Sequence, residues 1–328
     1  MRVGIPRALL FHHYGECWLE FLETLGIEPV ITEDTSGETI TTGATRADNE
    51  TCLPVKVFSG HLLQLKDRVD AVLVPRVVRQ EPGKCACPKF MGLPDLARSL
   101  DPELPPILSP RMDLGDRRAL WAREWYGVAR TLGGRRAPSA VAVARLLRAL
   151  SLLEEPPPAR PRHSDVVIGV AGHLYNVFDG RVSLDMLERI RKLGAEPVTL
   201  DEVPLEHARR HADTLPRKIF WGFESRLAGT VLHWSRTASV SGILFVTSFA
   251  CGPGSIVGAL LEDQLEREGS VPLMTVTLDE HSAEAGLVTR LEAFTDMLRH
   301  QSRSAARSDV TKGSDPFVTS AVYPGGSG

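Results

Sequence analysis

The chain has 328 residues, 43% hydrophobic and 24% charged, enough apolar material for proper cores in one large or two ordinary domains. Its formal charge is −3 with Lys and Arg scattered along the chain, which excludes the electrostatic footprint of a nucleic-acid binder and the basic helix of a membrane-surface protein. No apolar run approaches the roughly 18 residues that span a bilayer, and MRVGIPRALL enters a strand without a secretory leader, so a cytoplasmic protein is expected. In a reducing compartment five cysteines are too few for a disulfide scaffold and point to burial, reactivity or metal binding.

Short β-branched runs alternate with longer amphipathic segments, the pattern of helices covering a parallel sheet. Strands are predicted near RVGI, EPVITE, DAVLVPRV and PPILSP, forming one open sheet, with LFHHYGECWLEFLETLG a helix closed by Gly26. The proline-rich run EEPPPARPRHS then reads as an extended linker. Beyond it follow a strand in DVVIGVAGH, a helix through SLDMLERIRKLG, a strand in AEPVTLDEV and a long helix through FESRLAGTVLHWS. The strand GILFVTSF, a helix, the strand PLMTVTLD and a last helix through LVTRLEAFTDMLR complete the series. The expected fold is α/β, with two Rossmann-like open parallel-sheet domains and a cleft between them. Its boundaries are 1–153, a linker at 154–164, a second domain at 165–302, and a tail at 303–328 too polar to offset its ordering entropy. LEFLETLGIEPVITED and LERIRKLGAEPVTLDE share helix, glycine cap, strand and acidic end, which suggests a duplicated unit.

The cysteines fall into two groups. Cys17 lies mid-helix among large apolar residues and reads as a small core hydrophobe. Cys52 (DNETCLPVKVF), Cys87 (CPKFMGLPD) and Cys251 (SFACGPGSIVG) each stand where a loop opens a helix, with proline one or two residues on. In an open α/β sheet such loops converge on one edge, and helix N-termini there supply N–H donors and positive partial charge that favour thiolates. Several thiolates without paired histidines suit zinc or an iron–sulfur cluster. Because the ligands are spread over both halves, a cluster bridging them is the better fit. Cys85 is a candidate fourth ligand; three cysteines alone would leave one iron with an exchangeable position. Glu50, Lys56 and His61 flank Cys52, and LDEHSAEAG offers Asp279, Glu280, His281 and Glu284. These are candidates for acid/base work, with helix capping as the alternative for the second group. Gly252 and Gly254 in CGPGSIVG form a weak variant of the dinucleotide fingerprint. His12, His13 and His233 read as surface or satisfied core histidines, and Trp221, Phe223 and Trp234 as core.

The blocks GIPRALLFHHYGECWLEFLETLG, DNETCLPVKVFSGHLLQL, VLVPRVV, CPKFMGLPDL, IGVAGHLYNVFD, FACGPGSIV and LDEHSAEAGLVTRLEAFTDML occur in that order. Together they resemble the acyl-CoA dehydratase activase-related family, which is similar to 2-hydroxyacyl-CoA dehydratase components and double-cubane iron–sulfur proteins. The resemblance implies an oxygen-sensitive protein of anaerobic metabolism carrying an iron–sulfur cluster of the [4Fe–4S] type, with Cys52, Cys87 and Cys251 as the matching ligands. It implies electron transfer from a separate ATP-hydrolysing activase, onward to an acyl-CoA dehydratase or a small-molecule substrate, and allows a homo-oligomer. The chain itself has no P-loop. Cys85 lies outside the family pattern, and Leu174 stands where the family often has proline. Two other readings are a nucleotide- or CoA-binding protein with incidental cysteines, carried by CGPGSIVG, and a non-catalytic regulatory subunit.

Overall fold

The computed structural model describes residues 1–115, 118–153, 162–269 and 271–312. The first half runs β1 (Arg2–Ile5), α1 (Phe11–Thr24), β2 (Glu28–Ile31), α2 (Gly37–Arg46), α3 (Leu53–Gln64), β3 (Ala71–Leu73), β4 (Arg76–Glu81), β5 (Lys84–Cys85), α4 (Pro88–Leu100), β6 (Ile107–Leu108), β7 (Arg111–Asp113), α5 (Arg118–Thr131) and α6 (Arg136–Leu152). The second runs β8 (Val167–Gly172), α7 (Leu174–Val177), α8 (Gly180–Ser183), α9 (Met186–Lys192), β9 (Glu196–Thr199), a 3-10 turn, α10 (Leu205–Ala212), α11 (Gly222–Thr237), β10 (Gly242–Ser248), α12 (Gly252–Glu268), β11 (Leu273–Leu278) and α13 (Glu284–Lys312).

Each half builds a four-stranded parallel sheet, in the orders β2-β1-β3-β6 and β9-β8-β10-β11. The two orders are equivalent, since in both the first strand lies between the second and the third. The shared helix–glycine–strand stretch falls at the same place in each, where Gly26 (φ +71) and Gly194 (φ +72) adopt the left-handed conformation that ends a helix cheaply only at glycine. A third, mixed sheet of order β5-β4-β7 was not expected. DAVLVPRV divides at Pro75, which has no N–H for the ladder, and its two pieces enter different sheets as β3 and β4. SLDMLERIRKLG is likewise divided, because Leu184 and Asp185 both take φ 54 between α8 and α9.

Burial explains why these segments are helices and strands. Tyr14, Cys17, Trp18, Phe21 and Leu22 of α1 are buried, a single stripe at spacings of three and four. Every residue of α3 from Leu53 to Leu62 is buried, so α3 is a central helix, and it meets α2 through glycine: a Cβ on Gly43 would lie 1.8 Å from the Lys56 carbonyl oxygen, and one on Gly60 2.0 Å from that of Thr39. All seven residues of β10 are buried, as a parallel strand covered on both faces must be. Leu244 and Val246 join a core that also holds Phe21, Trp125, Met186 and Leu291, while Ile243 and Phe245 join a second core with Val231, Trp234 and Leu261. The first core is continuous across both halves.

Most of the linker run, 154–161, lies outside the described residues. The last helix continues to Lys312, into the segment read as a tail, and 313–328 are outside the described residues. Among the described residues no helix is long and apolar enough to cross a membrane.

Candidate functional site

Cys52, Cys87 and Cys251 are the N-cap residues of α3, α4 and α12, each with proline in the first two helical positions. Proline lacks an N–H where a helix has no acceptor for one, so it opens these helices at no cost in hydrogen bonds. The remaining first-turn N–H groups favour the charged thiols: Val55 acts on Cys52, Lys89 and Phe90 on Cys87, and Gly254 on Cys251. Burial dominates in the other direction, raising all three thiols above the usual range and Cys251 to about 12.

The three thiols, from three helices and both halves of the chain, lie within electrostatic reach of one another. Cys251 is raised further by Cys52, Glu224 and Cys87, and Cys87 by Glu224 and Cys52. Tyr175 at the start of α7 faces the same group. Its hydroxyl is pushed well above the ordinary value by burial, then by Cys251, Glu224, Cys52 and Cys87. His173, the N-cap of α7, stacks on Tyr175 with ring centroids 5.0 Å apart and 5° between planes. Its Nε2 lies 3.2 Å from Glu224 Oε1, and both residues are buried, at 5% and 4% exposure. Phe223 meets His173, Phe90 and His13 edge-on, closing the apolar side, where His13 is pushed down to about 3 by burial and then by Arg226.

Tyr175, His173 and Glu224 escape a motif reading because they come from two segments that meet only in the fold. The available signal was GHLYN directly after the apolar run of β8, at the strand end where α/β sheets bind ligands. Leu174 occupies the first position of α7 and is buried, filling a place where proline would also be at home.

Gly254 is required where it stands. A Cβ there would lie 2.9 Å from Cys251 Sγ and 2.8 Å from Thr247 Oγ1, so the space over the first turn of α12 belongs to the thiol. Gly252 has nothing within 4 Å of a built Cβ. CGPGSIVG does join a strand to a helix, but the close approach that Gly254 permits is taken by Cys251 and Thr247 rather than left open to a phosphate.

The remaining sequence candidates divide. Lys56, 3% exposed, pairs with Glu280, joining α3 to the turn after β11. Burial alone would raise Glu280, yet the hydrogen bond and charge of Lys56 hold it below the ordinary carboxylate range. His61 is completely buried, with Nε2 2.8 Å from Thr35 Oγ1, and burial followed by the charges of His12 and Arg7 lowers it to about 4. Glu50 and His281 are exposed, and the His281 N–H donates to Asp279 Oδ1 at 2.8 Å. Asp279 and Ser282 hydrogen-bond each other within the turn before α13, and Glu284 sits in the first turn of α13 facing Arg189. Cys85 is exposed on β5, where its N–H donates to the Phe220 carbonyl at 2.8 Å. Cys17 is buried in the core, His233 Nδ1 meets His211 Nε2 at 3.4 Å, and Trp234 is buried against Gly169.

Among the described residues no three His, Cys, Asp or Glu side chains close around a single metal ion. One tetrahedral zinc would need thiolates about 3.8 Å apart, from Zn–S bonds of about 2.3 Å. A cluster with one iron per thiolate accepts a wider set. Thiols from three helix N-termini, each aided by backbone N–H groups, are a donor set that fits such a cluster, since these groups also offset its negative charge.

No curated protein matches the chain. Residues 2–203 match the family model described as CoA enzyme activase uncharacterised domain (DUF2229), a span that takes in β1 through β9, with Cys52, Cys87, His173 and Tyr175, and the chain belongs to that family.

Proposed function

We propose that Cys52, Cys87 and Cys251 together hold one iron–sulfur cluster, and that the chain is an electron-transferring component working with an ATP-hydrolysing activase. The supporting observation is that cysteines 35 and 164 residues apart in sequence stand at the N-caps of three helices and within electrostatic reach of one another and of Tyr175. Membership of a CoA enzyme activase-related family makes an activase the natural electron donor, and a dehydratase or small-molecule substrate the acceptor. A bound cluster would supply low-potential one-electron chemistry.

The residues around it have roles of their own. The N–H groups of Val55, Lys89, Phe90 and Gly254 stabilise thiolate charge. Glu224 accepts a hydrogen bond from His173 and so orients its ring, and the ring fixes Tyr175 by stacking. Phe90 and Phe223 keep the surroundings apolar, which limits water at the centre.

Anaerobic purification with iron and acid-labile sulfide analysis tests this reading. Both should be present in stoichiometric amounts in the wild type and lost in Cys52→Ala, Cys87→Ala and Cys251→Ala, with Cys85→Ala as the comparison. Tight stoichiometric zinc, or iron retained in all three variants, would overturn it. Association with an activase that requires ATP would support the donor assignment.

A further inference from the structure

A cleft of about 550 Å³ opens between the β1–α1 loop, the segment after β2, and the α7–α9 segment. None of the cysteines lines it. Its volume lies within the range of small-molecule sites, roughly 300–1,000 Å³. The floor is polar and buried. Asp179, 6% exposed, accepts from the Thr35 hydroxyl at 2.5 Å and from the Val182 N–H at 3.0 Å, and Thr35 in turn meets His61. One wall is apolar, formed by Phe11, Phe178 and Leu184. Phe178 is 43% exposed, a large ring turned toward open space.

Two buried polar atoms here stand without hydrogen-bond partners among the described residues, Arg7 Nε and His12 Nε2, the latter 3.9 Å from Asp179 Oδ2, although buried polar groups are ordinarily satisfied. Arg181, at the rim, makes no ion pair among the described residues, whereas Arg7 and Arg189 are matched to Asp34 and Glu284. The lining carries three arginines against the four carboxylates of Asp34, Asp179, Asp185 and Glu284. With Arg7 and Arg189 already paired, Arg181 is the one lining arginine without an ion pair among the described residues, too little positive charge for a polyphosphate. Together with the unpartnered Arg7 Nε and the apolar wall it suits a single compact anion on an apolar body.

We propose that this cleft binds a small organic carboxylate, its anion held by Arg181 with Arg7 and His12, and its apolar body lying against Phe11 and Phe178. Arg181 suits this role because guanidinium and carboxylate match as a two-point pair. The site stands apart from the cysteine group, so the proposal does not depend on a cluster being bound.

Benzoate, titrated into the full chain and followed by calorimetry, is the probe. Saturable one-site binding is expected, at least tenfold weaker in Arg181→Gln and weaker again when Phe178→Ala is added. Arg181 and Phe178 are exposed, so both variants should unfold as the wild type does. Binding should persist in Cys251→Ala, which separates this site from the proposed cluster ligands. Absence of saturable binding, binding unchanged in both variants, or inorganic phosphate competing as well as benzoate would overturn the proposal.

Discussion

Glu280→Gln should destabilise the protein by about 3 kcal/mol. The Lys56 side chain is 4% exposed and that of Glu280 22%, so the substitution removes the counter-charge from an ammonium with almost no access to water. Breaking a fully buried pair from one side costs about 3–5 kcal/mol, and the partial exposure of Glu280 places this pair at the low end. Removing both charges is a different experiment. With Lys56→Met and Glu280→Leu together no ion is stranded, and the double variant should lie within about 1 kcal/mol of wild type, because apolar pairs replace buried ion pairs with little loss. Urea unfolding of the wild type, both single variants and the double variant completes the cycle, read from midpoints at constant slope. The pH dependence has a fixed sign. Lys56 depresses the folded-state value of Glu280, so its contribution is complete above the ordinary glutamate range and is lost as pH falls through the depressed value. A Glu280→Gln variant within 0.5 kcal/mol of wild type, or a double variant that costs the sum of the singles, would refute the reasoning.

Two further predictions concern α3. Gly43→Ala should cost about 3 kcal/mol or more in urea unfolding, because the new methyl would meet the Lys56 backbone at 1.8 Å and a backbone carbonyl cannot turn aside as a side chain can. His61 is held at about 4 against 6.5 when unperturbed, so the unfolded chain binds the extra proton between those values and stability falls as pH drops through that window. The loss is about 3 kcal/mol, at 1.36 kcal/mol per pH unit. Unfolding midpoints measured from pH 7 to pH 4 should lose part of their slope in His61→Gln; a slope equal to wild type would remove His61 from the account.

The parallel α/β units were legible because their signals are local. The stripe of α1, the left-handed Gly26 and Gly194, and the apolar run of β10 lie within short windows. The shared helix–glycine–strand stretch suggested a duplicated unit, and the strand orders themselves come from the fold. The three N-cap cysteines were legible for the same reason, since loop, cysteine and proline are adjacent in sequence. The β5-β4-β7 sheet was not, because β5 has two residues and β4 follows a proline inside what reads as one strand. Lys56 with Glu280, and His173 with Glu224, are pairs separated by 224 and 51 residues, and nothing in either segment alone announces its partner. Sequence supplied Lys56, Glu280 and His61 as candidates around the cysteines, and the fold assigns Lys56 and Glu280 to a link between halves and His61 to the buried contact with Thr35.

The choice of cap residue bears on function. Two helices of this protein start on an oxygen cap: Ser36 accepts from the Thr39 N–H at 3.1 Å in a reciprocal capping box, and Asp179 accepts from the Val182 N–H. At α3, α4 and α12 the cap residue is cysteine, where the first-turn N–H groups stabilise the charged form of the thiol without a formed capping hydrogen bond. An oxygen cap contributes about 0.5–2 kcal/mol per helix, which these three starts lack. A cysteine in that position is a weak cap and a good metal ligand. Cys251→Ser separates the two demands. The hydroxyl can accept from the Gly254 N–H, so metal-free protein should gain about 0.5–1 kcal/mol in urea unfolding, while iron retained after anaerobic purification should fall sharply. A serine variant that is destabilised without metal and keeps its iron would mean that Cys251 is there for packing, and that the convergence of the three helix starts has a structural cause alone.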